Sequence, residues 1–255
     1  MNLLRILLLS FLLWPLARAE QAVALLRPGE SLTYRVGWGM LGNAGEMKIG
    51  AETEESEDGV ERLRVTTTSK TRGFVRALYS FDGSASMVFD PRDGRFLEAF
   101  AATRSKKEQT QASIVFDYQK NEAAYVDHLQ PSRSATLPLP EGQSMDLITA
   151  LIQTRVWGLE PGQSRDVQVL FDDEFYPLRI TAEHEETIST SQGKRQTMLL
   201  IPRMIGEPKG MFRRGGEVRV WVSADEDRLP LRFEVKLKVG TAFAVLTDYH
   251  PPTRL

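Results

Sequence analysis

The stretch that decides the fold is Leu32-Thr33-Tyr34-Arg35-Val36-Gly37-Trp38. Its large apolar side chains fall on every second residue, and this period of two is typical of a β-strand with one buried face. The same alternation returns in residues 61–69, and strands are also predicted over residues 164–171 and 217–222. The chain is therefore predicted to be mainly β.

Short turn signals separate the predicted strands. Asp58-Gly59 and Asp82-Gly83 are typical of hairpins, because Gly accepts the positive φ that such turns require. Residues 74–79 are predicted to form a short helical turn. No long Gly/Ser/Pro linker interrupts the series, so residues 20–255 are predicted to form a single β-rich domain. About a dozen strands would make one curled antiparallel sheet, a half-barrel or open barrel.

One segment of the chain has a helical period instead. Apolar residues from Leu147 to Trp157 recur at 3.6 spacing, Ser144 or Asp146 can cap the start, and Gly158 can end the helix. This segment is predicted to be the main α-helix, packed in the concave face of the sheet.

The first nineteen residues have the three zones of a secretory signal peptide. One positive charge precedes an apolar run over residues 6–14, and Ala17-Arg18-Ala19 supplies the small residues that a signal peptidase accepts. The apolar run is too short to cross a bilayer, which takes about 20 residues. Residues 1–19 are therefore predicted to be a cleavable signal peptide. The mature chain would be a soluble periplasmic protein that does not span the membrane.

Composition excludes several kinds of site. The 255 residues contain 32 Lys and Arg against 34 Asp and Glu, a formal net charge of −2, and no Cys. Scattered charge of this kind gives no electrostatic footprint for nucleic acid. Without Cys there are no disulfides and no thiolate metal sites.

The acidic segments are the candidates for chemistry. Asp172-Asp173-Glu174 and Glu183-His184-Glu185-Glu186 could supply carboxylates for glycan hydrolysis, and strand alternation would place Glu183 and Glu185 on one face. Adjacent acids at a turn usually form a solvated bend, and this is the preferred interpretation. The Gly-rich loop 206–216 with Arg213-Arg214 could cradle an anion or could simply connect two strands. No catalytic residue, metal or cofactor is predicted, and the chain is expected not to be an enzyme.

Two resemblances to known families add to this interpretation. Residues 29–39, followed by Ala44-Gly45-Glu46, resemble the opening of the exported bacterial domain-of-unknown-function 3108 family, and residues 146–151, 201–202 and 220–232 follow in that family's order. Residues 221–233 are also similar, more weakly, to a strand–turn–strand of periplasmic lipoprotein carriers. That second likeness implies a half-barrel whose concave apolar face holds acyl chains.

The many large apolar side chains either fill a core or line a groove between sheet and helix. A groove would bind a lipid, a lipoprotein acyl chain or a segment of an envelope protein partner. The alternatives are a cell-wall glycan hydrolase and an assembly module that pairs through an exposed edge strand. The candidate groove residues are Trp38, Leu147, Leu151, Trp157 and Trp221.

Overall fold

The structure is a computed structural model and describes residues 26–56, 59–142, 144–171, 173–191, 193–209, 212, 216–237 and 240–252. The predicted signal peptide over residues 1–19 and the basic pair Arg213-Arg214 lie outside the described residues.

The described residues form fifteen strands and two α-helices, with a 3-10 turn at Pro131–Arg133. The helices are α1 (Gly73–Leu78) and α2 (Leu147–Trp157). The strands are β1 (Ser31–Trp38), β2 (Leu41–Glu55), β3 (Glu61–Thr71), β4 (Phe81–Phe89), β5 (Phe96–Ser105), β6 (Gln109–Asp117), β7 (Glu122–Asp127), β8 (Ala135–Pro138), β9 (Ser144–Asp146), β10 (Ser164–Phe171), β11 (Glu174–Thr190), β12 (Gly193–Met204), β13 (Glu217–Ser223), β14 (Pro230–Leu237) and β15 (Gly240–His250).

All these strands belong to one sheet made of two meanders. The strands β1 to β8 pair in chain order, and so do β9 to β15. The two meanders are joined where β1 pairs antiparallel with β15. The pairing of β9 with β10 is parallel, because α2 lies between these two strands in the chain.

The sheet curls until its two ends come close, but no strand ladder closes it between the described edge strands β8 and β9. Side-chain contacts connect the two ends of the sheet instead. The rings of Phe116 on β6 and Phe175 on β11 lie 6.5 Å apart, and Arg133 reaches Asp173 at 3.7 Å. The result is the predicted open half-barrel.

The core lies on the concave face of this sheet. The rings of Phe89 and Phe96 stack with centroids 5.0 Å apart, and the ring of Phe116 packs tilted against Phe96 at 4.7 Å. Tyr34 of β1 is fully buried, and its hydroxyl donates to the carbonyl of Pro230 at 2.9 Å. Burial raises the pKa of Tyr34 well above its ordinary value, so this hydroxyl keeps its proton and can donate it to the Pro230 carbonyl.

The predicted helix and its place in the concave face are confirmed. Its polar residues Thr149, Gln153 and Thr154 are buried together with Ala150 and Ile152. The sheet therefore encloses α2 on several sides, and the helix lies inside the half-barrel. Within the described ranges, neither helix has the length and apolar character needed to cross a bilayer.

The observed strands differ from the predicted ones at the two edges of the sheet and at a bulge in β11. The short edge strands β8 and β9 carry no alternation that would have marked them. Strand β11 runs through Glu185 as one seventeen-residue element, with a bulge between Ala182 and His184. The extra residue reverses the alternation, so the prediction that Glu183 and Glu185 share a face is wrong. Glu183 pairs with Arg203 at 2.8 Å on the outer face, while Glu185 faces inward.

Candidate functional site

The first part of the site is an apolar cavity of about 200 Å³ between α2 and the sheet. Leu147, Ile148 and Leu151 line it from the helix. The opposite wall comes from alternate residues of four strands, because side chains on one face of a strand recur every second residue. These wall residues are Leu178, Ile180, Leu200, Pro202, Val218, Val220, Phe233 and Val235.

Local chemistry at both ends of α2 fixes the helix above this cavity. The Asp146 carboxylate caps the start and accepts from the N–H groups of Ile148 and Thr149 at 2.7 and 3.2 Å. Burial raises the pKa of Asp146, although these hydrogen bonds oppose the shift. Gly158 ends the helix in the left-handed conformation, at φ 56°.

A buried ion pair holds the last turn of the helix. Arg155 donates from Nη1 to Glu30 at 2.7 Å, and the Glu30 side chain is only 1% exposed. The hydroxyl of Tyr249 and the backbone N–H of Arg27 also donate to this carboxylate, each at 3.0 Å. Burial and the hydrogen bond to Glu30 raise the pKa of Tyr249. These contacts tie α2 to one end of the central strand pair, where β1 begins and β15 ends.

The second part of the site is a larger apolar groove of about 750 Å³, bounded by β1 to β3, β14, β15 and α1. Met47, Phe233 and Val235 line both the cavity and this groove. The two spaces are therefore neighbours along one apolar surface, which runs from beneath α2 to the ends of β1 and β2.

Two glycines let neighbouring groups pack closely at the groove walls. A Cβ at Gly37 would lie 2.2 Å from the ring of Phe243, so only Gly lets this ring pack across β1. A Cβ at Gly45 would lie 2.6 Å from the carbonyl oxygen of Lys70, which belongs to the backbone and cannot move away. Ala44 and Ala242 also line the groove, and their short side chains occupy little of its volume.

The outer end of the groove is surrounded by exposed apolar side chains, which we call the rim. At the β1–β2 turn, Met40 is fully exposed and Leu41 is 52% exposed. On α1, Phe74 and Leu78 are 73% and 64% exposed and lie one helical turn apart on the same side. The rim consists of Trp38, Met40, Leu41, Phe74, Leu78 and Tyr79.

Charged groups are sparse along this apolar surface. Glu46 is the carboxylate among the described lining residues of the cavity and groove, and Arg72 holds it at 2.6 Å. A third, polar cavity of about 210 Å³ lies at the C-terminal end of α2, where Glu160, Glu185 and Arg228 contribute to the lining. Among the described residues, no group of three or more His, Asp or Glu is placed to hold a metal ion.

The structure brings together three of the five predicted groove residues. Leu147 and Leu151 line the cavity, and Trp38 lines the groove, where its indole packs on Gly240. Trp157 lies elsewhere, with the Arg165 guanidinium 5.1 Å above its ring. Trp221 lies on the opposite face of β13, so it does not face the cavity.

Trp221 is nevertheless buried, because it packs with Leu199 and Ile201 in a separate cluster on that outer face. Its indole N–H donates to Glu186 at 2.7 Å. Sequence reasoning also missed Phe233, which alternation on β14 could have indicated, and Phe243, whose position depends on Gly37 of another strand.

The comparisons with known proteins agree with this architecture. A family model described as "Protein of unknown function (DUF3108)" matches residues 33–247. No curated protein sequence matches the chain. A beta-barrel-like protein of domain of unknown function DUF1849 from Brucella abortus is similar in structure, with a TM-score of 0.57 and 8% identity over 88% of this chain and 98% of that one.

Two further solved structures have lower similarity. A DUF1089 family protein from Pseudomonas aeruginosa has a TM-score of 0.39 and 13% identity, over 82% of this chain and 92% of that one. A protein with a YmcC-like fold from Bacteroides fragilis has a TM-score of 0.35 and 13% identity, over 88% and 97%. The Brucella likeness supports the barrel-like fold and carries no information about activity.

Proposed function

The chain belongs to the DUF3108 family, and from that premise we propose that it is a non-enzymatic binding protein of the cell envelope that holds an acyl chain between its sheet and α2. The observation that carries the proposal is the apolar surface that continues from the cavity into the groove through Met47, Phe233 and Val235. The location in the periplasm rests on the predicted signal peptide over residues 1–19.

The size and chemistry of the two spaces fit a lipid chain. Cavities of about 200 and 750 Å³ together reach the upper part of the roughly 300–1,000 Å³ usual for ligand sites. Each CH₂ group moved from water into such a site contributes about 0.8 kcal/mol. Because few polar groups line these spaces, they suit a hydrocarbon chain and offer little to a polar substrate. A hydrophobic segment of an envelope protein is the alternative occupant.

Blocking the junction between cavity and groove tests this function. Val235 lines both spaces, so V235W places an indole in the passage. On the same strand, Lys236 is exposed on the other face, and K236W is therefore the matched control. Binding of a fluorescent fatty acid should weaken at least about tenfold, or 1.4 kcal/mol, in V235W and remain unchanged in K236W.

Native mass spectrometry of gently purified protein identifies the occupant. A co-purified lipid whose occupancy falls in V235W supports the acyl-chain proposal, whereas a bound peptide supports the protein-segment alternative. The proposal fails if the wild type binds no acyl probe, or if both Trp variants bind it as well as the wild type does.

For the hydrolase alternative, the residues to test lie in the polar cavity. Glu160 and Glu185 both line the polar cavity, and two carboxylates on one cleft are what glycoside hydrolysis requires. Cleavage of purified cell-wall glycan that is abolished by E185Q would favour the hydrolase. The edge-pairing alternative has less support, because β8 has four residues and β9 has three, and short edge strands offer little ladder to a partner.

A further inference from the structure

The rim has more exposed apolar surface than a binding groove needs. Phe74 is 73% exposed and lies outside the groove lining, and Met40 is fully exposed at the tip of the β1–β2 turn. Scattered exposed apolar residues are normal on proteins, but a contiguous patch of large ones marks an interaction surface. Leu41 and Leu78 link this patch to the groove, because both also line it.

Basic side chains surround the same patch. Lys70 lines the groove, and Lys106 donates from Nζ to the carbonyl of Ala77 in α1 at 2.8 Å. Arg72 and Arg76 flank the start and middle of α1 and pair with Glu46 and Asp82. These four basic side chains outnumber the two acidic ones, so the local net charge around the rim is positive.

The pKa of Asp82 reflects the same positive local charge. The hydrogen bond from Arg76 lowers the pKa of Asp82, and the positive charges of Lys70 and Arg104 lower it further. An apolar tip ringed by cations is the pattern of proteins that lie on anionic bilayers, where apolar groups enter the acyl boundary and bases pair with headgroups.

We propose that the rim docks on the surface of an anionic phospholipid bilayer, with the β1–β2 turn and α1 in the headgroup region and the groove open toward the acyl chains. Because the rim and the groove share residues, a chain would pass from bilayer to groove without crossing water. This inference rests on the proposed function for its purpose, but the docking itself is measured separately.

The test is flotation of the full mature protein with phosphatidylcholine vesicles that contain or lack phosphatidylglycerol. The double variant M40E/F74E places two acids on the rim, at two exposed residues that lie outside the groove lining. We expect the wild type to bind the anionic vesicles and the variant to bind them at least about tenfold more weakly, because it loses both apolar insertion and charge attraction. Binding of the fluorescent fatty acid in the absence of vesicles should be retained.

The matched control is V115E/V126E. These two valines are 53% and 41% exposed on neighbouring strands β6 and β7, so the change in charge is the same and exposed apolar side chains are again replaced by acids. The control should bind vesicles as the wild type does. If it loses binding equally, the rim is not the docking surface.

Other outcomes also decide the proposal. Wild-type protein that binds the fatty acid but neither kind of vesicle overturns the docking and leaves the proposed function intact. Equal binding to neutral and anionic vesicles overturns the assignment to anionic lipid. Self-association in sedimentation that M40E/F74E abolishes, without vesicle binding, would assign the rim to a second copy of the chain.

Discussion

Replacing Arg155 by Met removes one partner of the buried ion pair that holds α2 in the half-barrel. The Glu30 carboxylate is then left 1% exposed, with the Tyr249 hydroxyl and the Arg27 N–H as its remaining donors. Breaking a buried pair on one side costs roughly 3–5 kcal/mol, because the remaining charge has lost its counter-ion and cannot reach water. We expect R155M to lower the free energy of unfolding by about that amount.

A second variant separates the charge from the packing. In E30Q/R155M both charges are gone. The amide oxygen can take the place of Oε2 and accept from the Arg27 N–H, while the amide NH₂ takes the place of Oε1 and donates to the Tyr249 hydroxyl. Buried ion pairs replaced by neutral groups of similar volume lose little stability. We therefore expect the double variant to recover about 2–3 kcal/mol relative to R155M. The single variant E30Q completes the double-mutant cycle that gives the coupling energy.

Urea unfolding followed by Trp fluorescence measures these differences, since the predicted mature chain keeps Trp38, Trp157 and Trp221. The control is R179M, because Arg179 pairs with Asp166 at 2.7 Å at the surface, where both side chains are more than half exposed. An exposed pair contributes about 0–1 kcal/mol. The reasoning fails if R155M costs no more than R179M, or if E30Q/R155M is as unstable as R155M.

Three further variants test separate parts of the molecule. Hydrogen bonds from Arg92 lower the pKa of Asp90 to about 2, below the about 3.9 of an unfolded chain, so the ionised carboxylate stabilises the fold above pH ~4. The stability advantage over D90N should therefore disappear in urea titrations as the pH falls from ~4 toward 2. L151N should weaken binding of an acyl probe by about one to several kcal/mol. If Leu151 only fills the core, L151N costs about 2–5 kcal/mol of stability and the wild type binds no probe. Charged residues at Ala17 and Ala19 should leave an uncleaved precursor in export assays, and normal processing of that variant would contradict the assigned cleavage site.

Several elements could be predicted because their causes are local. The cap at Asp146 and the end at Gly158 depend on side-chain and backbone preferences within a few residues, and both were confirmed. The strand of residues 32–38 follows in the same way from its alternation. The short helix α1 lies where residues 74–79 predicted it, shifted by one residue at each end.

Other features depend on neighbours distant in the chain. The bulge in β11 before His184 is set by its register against β12, and nothing in residues 180–186 marks it. The room for Phe243 comes from Gly37, which is two hundred residues away in sequence but adjacent across the β1–β15 pair.

The sequence by itself determined the absence of Cys, the β-rich class, the main helix and the apolar residues from which a groove could be built. It also predicted the signal peptide. Only the tertiary structure decided which of those residues share the groove. Alternation places Trp221 and Val220 on opposite faces of β13, but the face that turns inward depends on the curl of the whole sheet. That curl follows from the pairing of β1 with β15 and the packing around α2, which are long-range contacts. For the same reason Trp38 lies at the groove, while Trp221 and Trp157 pack elsewhere.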